Sequence, residues 1–210
     1  MKIVISAGPT RERIDAVRFL SNRSTGKMGF AIAGAAADMG YETVLVAGPV
    51  HLDTPDGVRR IDVESAADMA AAVKSEAADA DVVIMAAAVA DYRPRQQISG
   101  KMKKKEGDLI LELERTEDIL KSLGEVKRPG QILVGFAAET ENLELYALDK
   151  LKRKNLDWIA ANDVSRSDIG FGSNDNAVTL YGRNSERIQL PVAPKAEIAA
   201  KLLDTVLTKA

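Results

Sequence analysis

The stretch Ser21 to Gly29 reads SNRSTGKMG and holds residue types that bind phosphate: hydroxyls, glycines and a lysine. It is not a P-loop. That pattern needs a glycine five positions before Gly26 and a serine or threonine after Lys27; Ser21 and Met28 stand there instead. What remains is the chemistry of a helix start. Gly26 and Gly29 open a run with helical spacing, and the free N–H groups and partial positive charge of such a start make an anion site. Ser24 and Thr25 can cap that start or donate to a ligand oxygen. A capped helix with a glycine for close packing on a strand is the alternative reading.

Other residues offer matching chemistry, each beside a plainer role. The amide of Asn22 can donate to a carboxylate or acyl oxygen without adding charge, or close a turn on its own backbone. Arg18 can fork onto a phosphate or stand in solvent. In AAAVADY, Ala87 and Ala88 leave main-chain groups open to a ligand. Asp91 can coordinate Mg²⁺ together with phosphate oxygens, or serve as a turn residue. Lys101, Lys103, Lys104 and Lys105 form a basic run between Gly100 and Gly107. It is either a solvated tip or a flap that lays a lysine on a polyphosphate. Lys150 and Lys154 share a helix face. Phe136 can stack on a base or pack in the core, and Asn162 can read a base or sugar edge. His51 is the sole histidine, so no histidine cluster exists and no Ser/His/Asp set is visible.

These residues are carried by alternating elements. KIVISAG, YETVLVAG, VRRIDV, DVVIMAAAV, QILVGFAAE and LDWIAANDV read as strands. GKMGFAIAGAAADMG, ending at Gly40, and SAADMAAAVKSEAADA, capped by Ser65, read as helices. So do TEDILKSLGEVK, ENLELYALDKLKRKN and APKAEIAAKLLDTVLTKA. Nearly continuous apolar strands between helices predict a Rossmann-like, doubly wound α/β fold: a parallel sheet with helices on both faces. Ligands of such sheets sit beyond the carboxyl ends of the strands. Two segments break the alternation, a flap at about 94–108 and a hairpin at about 174–192. They are expected to pair as a small subsheet that mediates dimerisation.

The length, 210 residues, suits a single domain, 1–210, with a core of its own. A net charge of −2 implies no general affinity for nucleic acid or anionic membrane, and no aromatics interleave with the lysine run. The absence of cysteine removes thiolate catalysis and fits a reducing compartment. The N-terminal apolar run is too short for a signal peptide, and no run nears the ~20 residues of a membrane span. A cytoplasmic location is expected.

Taken in order and spacing, ISAGPTRERIDAVRFLSNRSTGKMG, AAAVADYRP, GKMKK, GFAAET and AANDV resemble the phosphopantothenate–cysteine ligases, over essentially the whole chain. The resemblance implies a homodimer that uses CTP and Mg²⁺ to activate 4'-phosphopantothenate as an acyl-cytidylate. The amide with L-cysteine then forms, on the route to coenzyme A. It implies that Asn22 holds the reacting acyl group and that Lys101, on the flap, neutralises phosphate charge. Gly8, Ser24, Gly26 and Gly29 would cradle the triphosphate. Ala86, Ala87, Ala88 and Asp91 would line the acid and nucleotide sites, with Asp91 nearest the metal. Glu117, Asp118, Ile119, Leu120, Phe136, Lys150, Lys154 and Asn162 would surround the nucleotide. Arg18 would bind the substrate phosphate, reaching into the other subunit's site. The chain departs from the family at Thr116–Ile119, where members often read Asn-Pro-Asp-Ile. Bacterial members are commonly fused to a flavin-dependent decarboxylase. The alternatives are an ATP-using ligase of the same family and a nicotinamide-dependent reductase. The missing G-x-G-x-x-G turn and Tyr-x-x-x-Lys set weigh against the reductase.

Overall fold

The computed structural model describes residues 1–104, 107–139, 142–163 and 172–208; Lys105 of the basic run lies outside them. The chain opens on β1 (Lys2–Ala7). An excursion follows, in which β2 (Glu12–Arg13) and β3 (Phe19–Leu20) pair as a short hairpin. Then come α1 (Lys27–Asp38), β4 (Glu42–Ala47), β5 (Val58–Asp62), α2 (Ala66–Ala77) and β6 (Val82–Met85). β7 (Tyr92–Pro94) and β8 (Leu113–Arg115) are the antiparallel base of the flap. α3 (Ile119–Glu125), β9 (Ile132–Glu139), α4 (Leu143–Arg153) and β10 (Trp158–Asp163) restore the alternation. β11 (Asp175–Gly182), β12 (Arg187–Pro194) and α5 (Lys195–Thr208) close the chain.

The main sheet has eight strands in the order β12-β11-β10-β9-β6-β1-β4-β5. From β10 to β5 every pairing is parallel; β11 and β12 are antiparallel additions. Alternate strand residues face opposite layers, as the period of a strand requires. Ile3, Ile5, Leu45, Ile84 and Leu180 are buried with α1 and α5 on one face. Val4, Val44, Val46, Val83 and Ile159 are buried with α2, α3 and α4 on the other. Each such side chain contributes ~1.5–3 kcal/mol by leaving water. No helix among the described residues is long and apolar enough to cross a membrane.

Local chemistry explains the helix ends. Gly40 takes a left-handed φ of 81°, and its N–H and that of Tyr41 bond the carbonyls of Ala37 and Ala36. This stops α1 in the way glycine stops helices. Ser65 and Asp68 form a reciprocal capping box on α2.

Three expectations are corrected. The two hairpins do not pair with each other. The 174–192 hairpin extends the main sheet through β11 on β10, while β7 and β8 form a separate two-stranded sheet. The reason is apolar alternation: Val178 and Leu180 of β11 give a buried face that α5 covers. Gly26, at φ 79°, and not Ser24 or Thr25, occupies the N-cap position of α1, and the Ser24 hydroxyl accepts the Gly26 N–H at 3.4 Å. Finally, β6 ends at Met85, and Ala86 to Ala90 belong to the loop beyond it.

Candidate functional site

The parallel strands run β10-β9-β6-β1-β4-β5, so the chain's crossovers diverge between β1 and β6. A crevice forms at the carboxyl ends of strands at such a point. A cleft of about 350 Å³ lies there. One wall is the start of α1, with Ser24, Gly26 and Gly29 lining it. The floor is the loop after β6, with Ala86, Ala87, Ala88 and Asp91. The far wall carries Glu117, Asp118, Ile119 and Leu120, together with Phe136, Lys154 and Asn162.

The floor is bound to the end of β1. The N–H of Ala88 donates to the carbonyl of Gly8 at 2.9 Å, and the N–H of Ala87 to the Ser6 hydroxyl at 3.2 Å. The N–H of Ala90 donates to the Thr10 hydroxyl at 3.0 Å. Ser6 and Thr10 are fully buried, which makes these bonds firm anchors. Gly8, at φ 78°, supports the floor from beneath and is not among the cleft's lining residues.

Asn22 stands at the edge of the floor. Its Nδ2 donates to the carbonyl of Ala88 at 2.6 Å, and its Oδ1 accepts the N–H of Ser24 at 2.8 Å. These two bonds fix which way the amide faces. An amide nitrogen has two hydrogens, so one remains for a ligand oxygen. Beside it, α1 begins without a side-chain cap and without an acid in its first turn. A Cβ on Gly29 would come within 2.5 Å of Ala7 Cβ, so only glycine lets α1 start this close to β1.

On the far wall, Asp118 caps α3 by accepting the Lys121 N–H at 3.1 Å, and it accepts a 2.8 Å bond from Lys154 Nζ. Burial pushes its carboxyl up; the Lys154 ammonium and the N–H bond outweigh this and hold it below the usual carboxylate range. Glu117 is turned onto Lys74 of α2 and the Ser122 hydroxyl, which lower its pKa in that order. Lys154 lines the cleft, and Lys150, one turn earlier, does not.

Arg18 and Lys101 are brought to a different place. Both line a groove of about 1230 Å³ under the flap. The guanidinium of Arg18 is held by Asp15, at 2.5 Å from Nη2 and 3.1 Å from Nε. Asp15 also accepts the N–H of Met102, next to Lys101, at 3.1 Å. The sequence reading missed this residue, because the pair forms in a bend between β2 and β3 and not on a helix face, where spacing would have announced it. It missed Lys27, Asn176 and Lys195 of the cleft too.

A family model described as DNA/pantothenate metabolism flavoprotein C-terminal domain, DFP, matches residues 1–209. The chain belongs to the DFP family. It is 51% identical over 205 residues to the coenzyme A biosynthesis bifunctional protein CoaBC of Bacillus subtilis, covering 97% of this chain and 50% of that protein. With CoaBC of Escherichia coli K12 it shares 45% over 212 residues, 100% of this chain and 52% of that one. It thus spans about half the length of the curated relatives it matches. The solved C-terminal domain of a CoaBC superposes with a TM-score of 0.85 at 47% identity, over 99% of this chain and 94% of that one. The DNA/pantothenate metabolism flavoprotein from Streptococcus pneumoniae shares the fold, at 24% identity and a TM-score of 0.82 over the full length of both. The Rossmann-like α/β fold expected from the sequence is therefore this chain's fold.

Proposed function

We propose that the chain is a phosphopantothenate–cysteine ligase of coenzyme A biosynthesis that uses CTP. The observation that carries this reading is the amide of Asn22, fixed by two bonds between the start of α1 and the floor of the cleft, in a DFP domain. Likeness to the CoaBC proteins and to a solved CoaBC C-terminal domain supports it.

A free carboxylate resists attack because oxide is a poor leaving group. In the proposed reaction an oxygen of the 4'-phosphopantothenate carboxylate attacks the α-phosphorus of CTP. The bond to the bridging oxygen breaks, and its electron pair leaves on pyrophosphate. The cysteine amine then attacks the acyl carbon, CMP departs with the C–O electron pair, and the amine gives up its proton. No protein nucleophile is required, in keeping with a site of amides, backbone and cations. Asn22 would hold the acid's carboxylate and then the acyl-cytidylate. The α1 start would take the phosphates, and Phe136, Asp118 and Lys154 would border the nucleoside. The flap would carry Lys101 from its groove towards the cleft as it closes, and Arg18 would take the substrate phosphate.

Among the described residues no group of three or more His, Cys, Asp or Glu is set to hold a metal. Among the described residues, Glu117 and Asp118 of the cleft are ion-paired with Lys74 and Lys154, whereas Asp91 lines the cleft with no ion pair to a described lysine or arginine. One carboxylate fits Mg²⁺, which is bound mainly by phosphate oxygens and water. Such an ion would neutralise phosphate charge.

The test is pyrophosphate release. It is expected from CTP only when 4'-phosphopantothenate is present, with amide formed only when cysteine is added. Equal release from ATP would favour the ATP-using alternative; release without the acid would overturn the ligase reading. Asn22→Ala is expected to lower turnover at least about 100-fold, the scale seen when one oriented donor is lost, with an unchanged circular dichroism spectrum.

A further inference from the structure

Asn22 and the floor it leans on belong to two pieces of chain that are neither helix nor strand. One is the segment from Ser21 to Thr25, between the end of β3 and Gly26. The other is the loop after β6. A side chain on such a segment keeps its geometry only as well as the segment is held. Asn22 is exposed, and the bond from the Ser24 N–H to its Oδ1 lies within its own segment. That bond turns with the segment and does not fix where the amide stands over the floor.

Ser21 supplies a fixed point. Its hydroxyl donates to the carbonyl of Thr10 at 2.8 Å. Serine hydroxyls in loops ordinarily bond their own or neighbouring backbone; this one spans 11 positions. The residue it reaches is itself tied to the floor. Thr10 is fully buried. Its N–H donates to the Ala88 carbonyl at 3.3 Å, and its hydroxyl accepts the Ala90 N–H at 3.0 Å. The Ala88 carbonyl is the same oxygen that accepts Asn22 Nδ2, at 2.6 Å. A closed ring results. It runs from the Ser21 hydroxyl to Thr10, from Thr10 to the Ala88 carbonyl, from there to the Asn22 amide, and along the chain back to Ser21. Breaking one bond of a closed network weakens what the others hold.

We propose that Ser21 is the positioning residue of Asn22: by holding its segment on the Thr10 carbonyl, it sets the Asn22 amide against the Ala88 carbonyl. Its part in catalysis rests on the ligase reading given above, in which Asn22 holds the reacting acyl group. Ser21 is not among the cleft's lining residues, so its effect passes through Asn22. With one Nδ2 hydrogen committed to Ala88, the planar amide fixes the direction of the other. A donor aimed in advance stabilises the charge that grows on the acyl oxygen without first having to be ordered.

The experiment compares the full chain as wild type, Ser21→Ala and Ser21→Thr, each with Asn22 intact and with Asn22→Ala. Ser21 is exposed, and the circular dichroism of the variants is expected to match the wild type. The first readout needs no catalysis. It is the side-chain NH2 signal of Asn22 in nitrogen-15 correlation spectra, identified by its loss in Asn22→Ala. Ser21→Ala is expected to move both proton signals towards those of a free amide, and Ser21→Thr, which keeps the hydroxyl, to restore them. The second readout is amide formation from CTP, 4'-phosphopantothenate and L-cysteine. Ser21→Ala is expected to lower kcat about tenfold, within what one misplaced group can cost, while KM for CTP changes less than about twofold. Ser21→Thr is expected to recover most of that loss. In the Asn22→Ala background, Ser21→Ala is expected to add less than about a further twofold, because the two residues act as one unit. Unmoved Asn22 signals, an unchanged kcat, or equal losses in both backgrounds would each overturn the proposal. A wild type that forms no amide from CTP, with Asn22 signals that move as expected, would refute the ligase reading and still support Ser21 as the residue that positions Asn22.

Discussion

At the scale of the residue, the best-determined side chain near the site is Asp15. Its carboxylate has no exposed surface and accepts from the N–H groups of Val17, Arg18 and Met102 as well as from the Arg18 guanidinium. The guanidinium foremost, and then the Val17 and Arg18 N–H groups, hold its carboxyl far below the usual carboxylate range. The sign follows from linkage. A depressed carboxylate stabilises the fold fully above its ordinary pKa of about 4, and that contribution is lost as pH falls through and below that value. Asp15→Asn is therefore expected to flatten the loss of stability between about pH 5 and pH 2, measured by urea unfolding at a series of pH values. In Asp15→Ala the Met102 amide is expected to exchange with deuterium at least about tenfold faster at neutral pH, the flap having lost this tether. Identical acid profiles, or an unchanged Met102 exchange rate, would deny Asp15 that role.

At the scale of the element, α1 offers a contrast between two glycines. A Cβ on Gly29 would meet Ala7 Cβ at 2.5 Å and the Ser6 carbonyl at 3.0 Å, while one on Gly34 meets only Pro55 at 3.5 Å. Gly29→Ala is expected to cost about 1–3 kcal/mol, the range for forcing an extra methyl into a packed core. It should also weaken CTP binding by moving the start of α1. Gly34→Ala is expected to be neutral or to stabilise by up to about 1 kcal/mol through helix propensity. Both are read from denaturant midpoints, and a reversed order would show that α1 is not pinned to β1 at Gly29. Elements of this kind were legible in the sequence where local rules govern them. Gly40 and Ser65 end and begin helices by their own chemistry, and Val- and Ile-rich runs make strands. What escaped the sequence depends on distant partners. β2 and β3 are two residues each and exist only because Glu12 and Arg13 meet Leu20 and Phe19. The position of β11 follows from the open edge of β10 and the covering helix α5. Lys27 and Lys195, 168 positions apart by subtraction, look like ordinary surface lysines until α1 and α5 are packed side by side.

At the scale of the whole molecule, the flap is the part whose burial is unfinished. Among the described residues β7 and β8 pair only with each other, and an isolated two-stranded sheet is marginal in water. Around the groove beneath it, Ile110 is 84% exposed and Val17 61%, with Leu109 and Ile98 also exposed. Apolar surface gathered in this way marks an interaction face. We propose that a second copy of the chain covers it, as in the homodimer that the family resemblance implies. Arg18 lies in the same groove, apart from the cleft of its own chain, as a residue serving a partner's site would. Two consequences are measurable. Ile110→Asp is expected to raise the dimer dissociation constant at least about tenfold in sedimentation equilibrium, equivalent to about 1.4 kcal/mol. If Arg18 completes the partner's site, specific activity falls with dilution in step with the dimer fraction, and mixing Arg18→Ala with Asn22→Ala restores part of the activity each has lost. A wild type that sediments as a monomer at every concentration while keeping full activity would refute both the shared groove and the shared site.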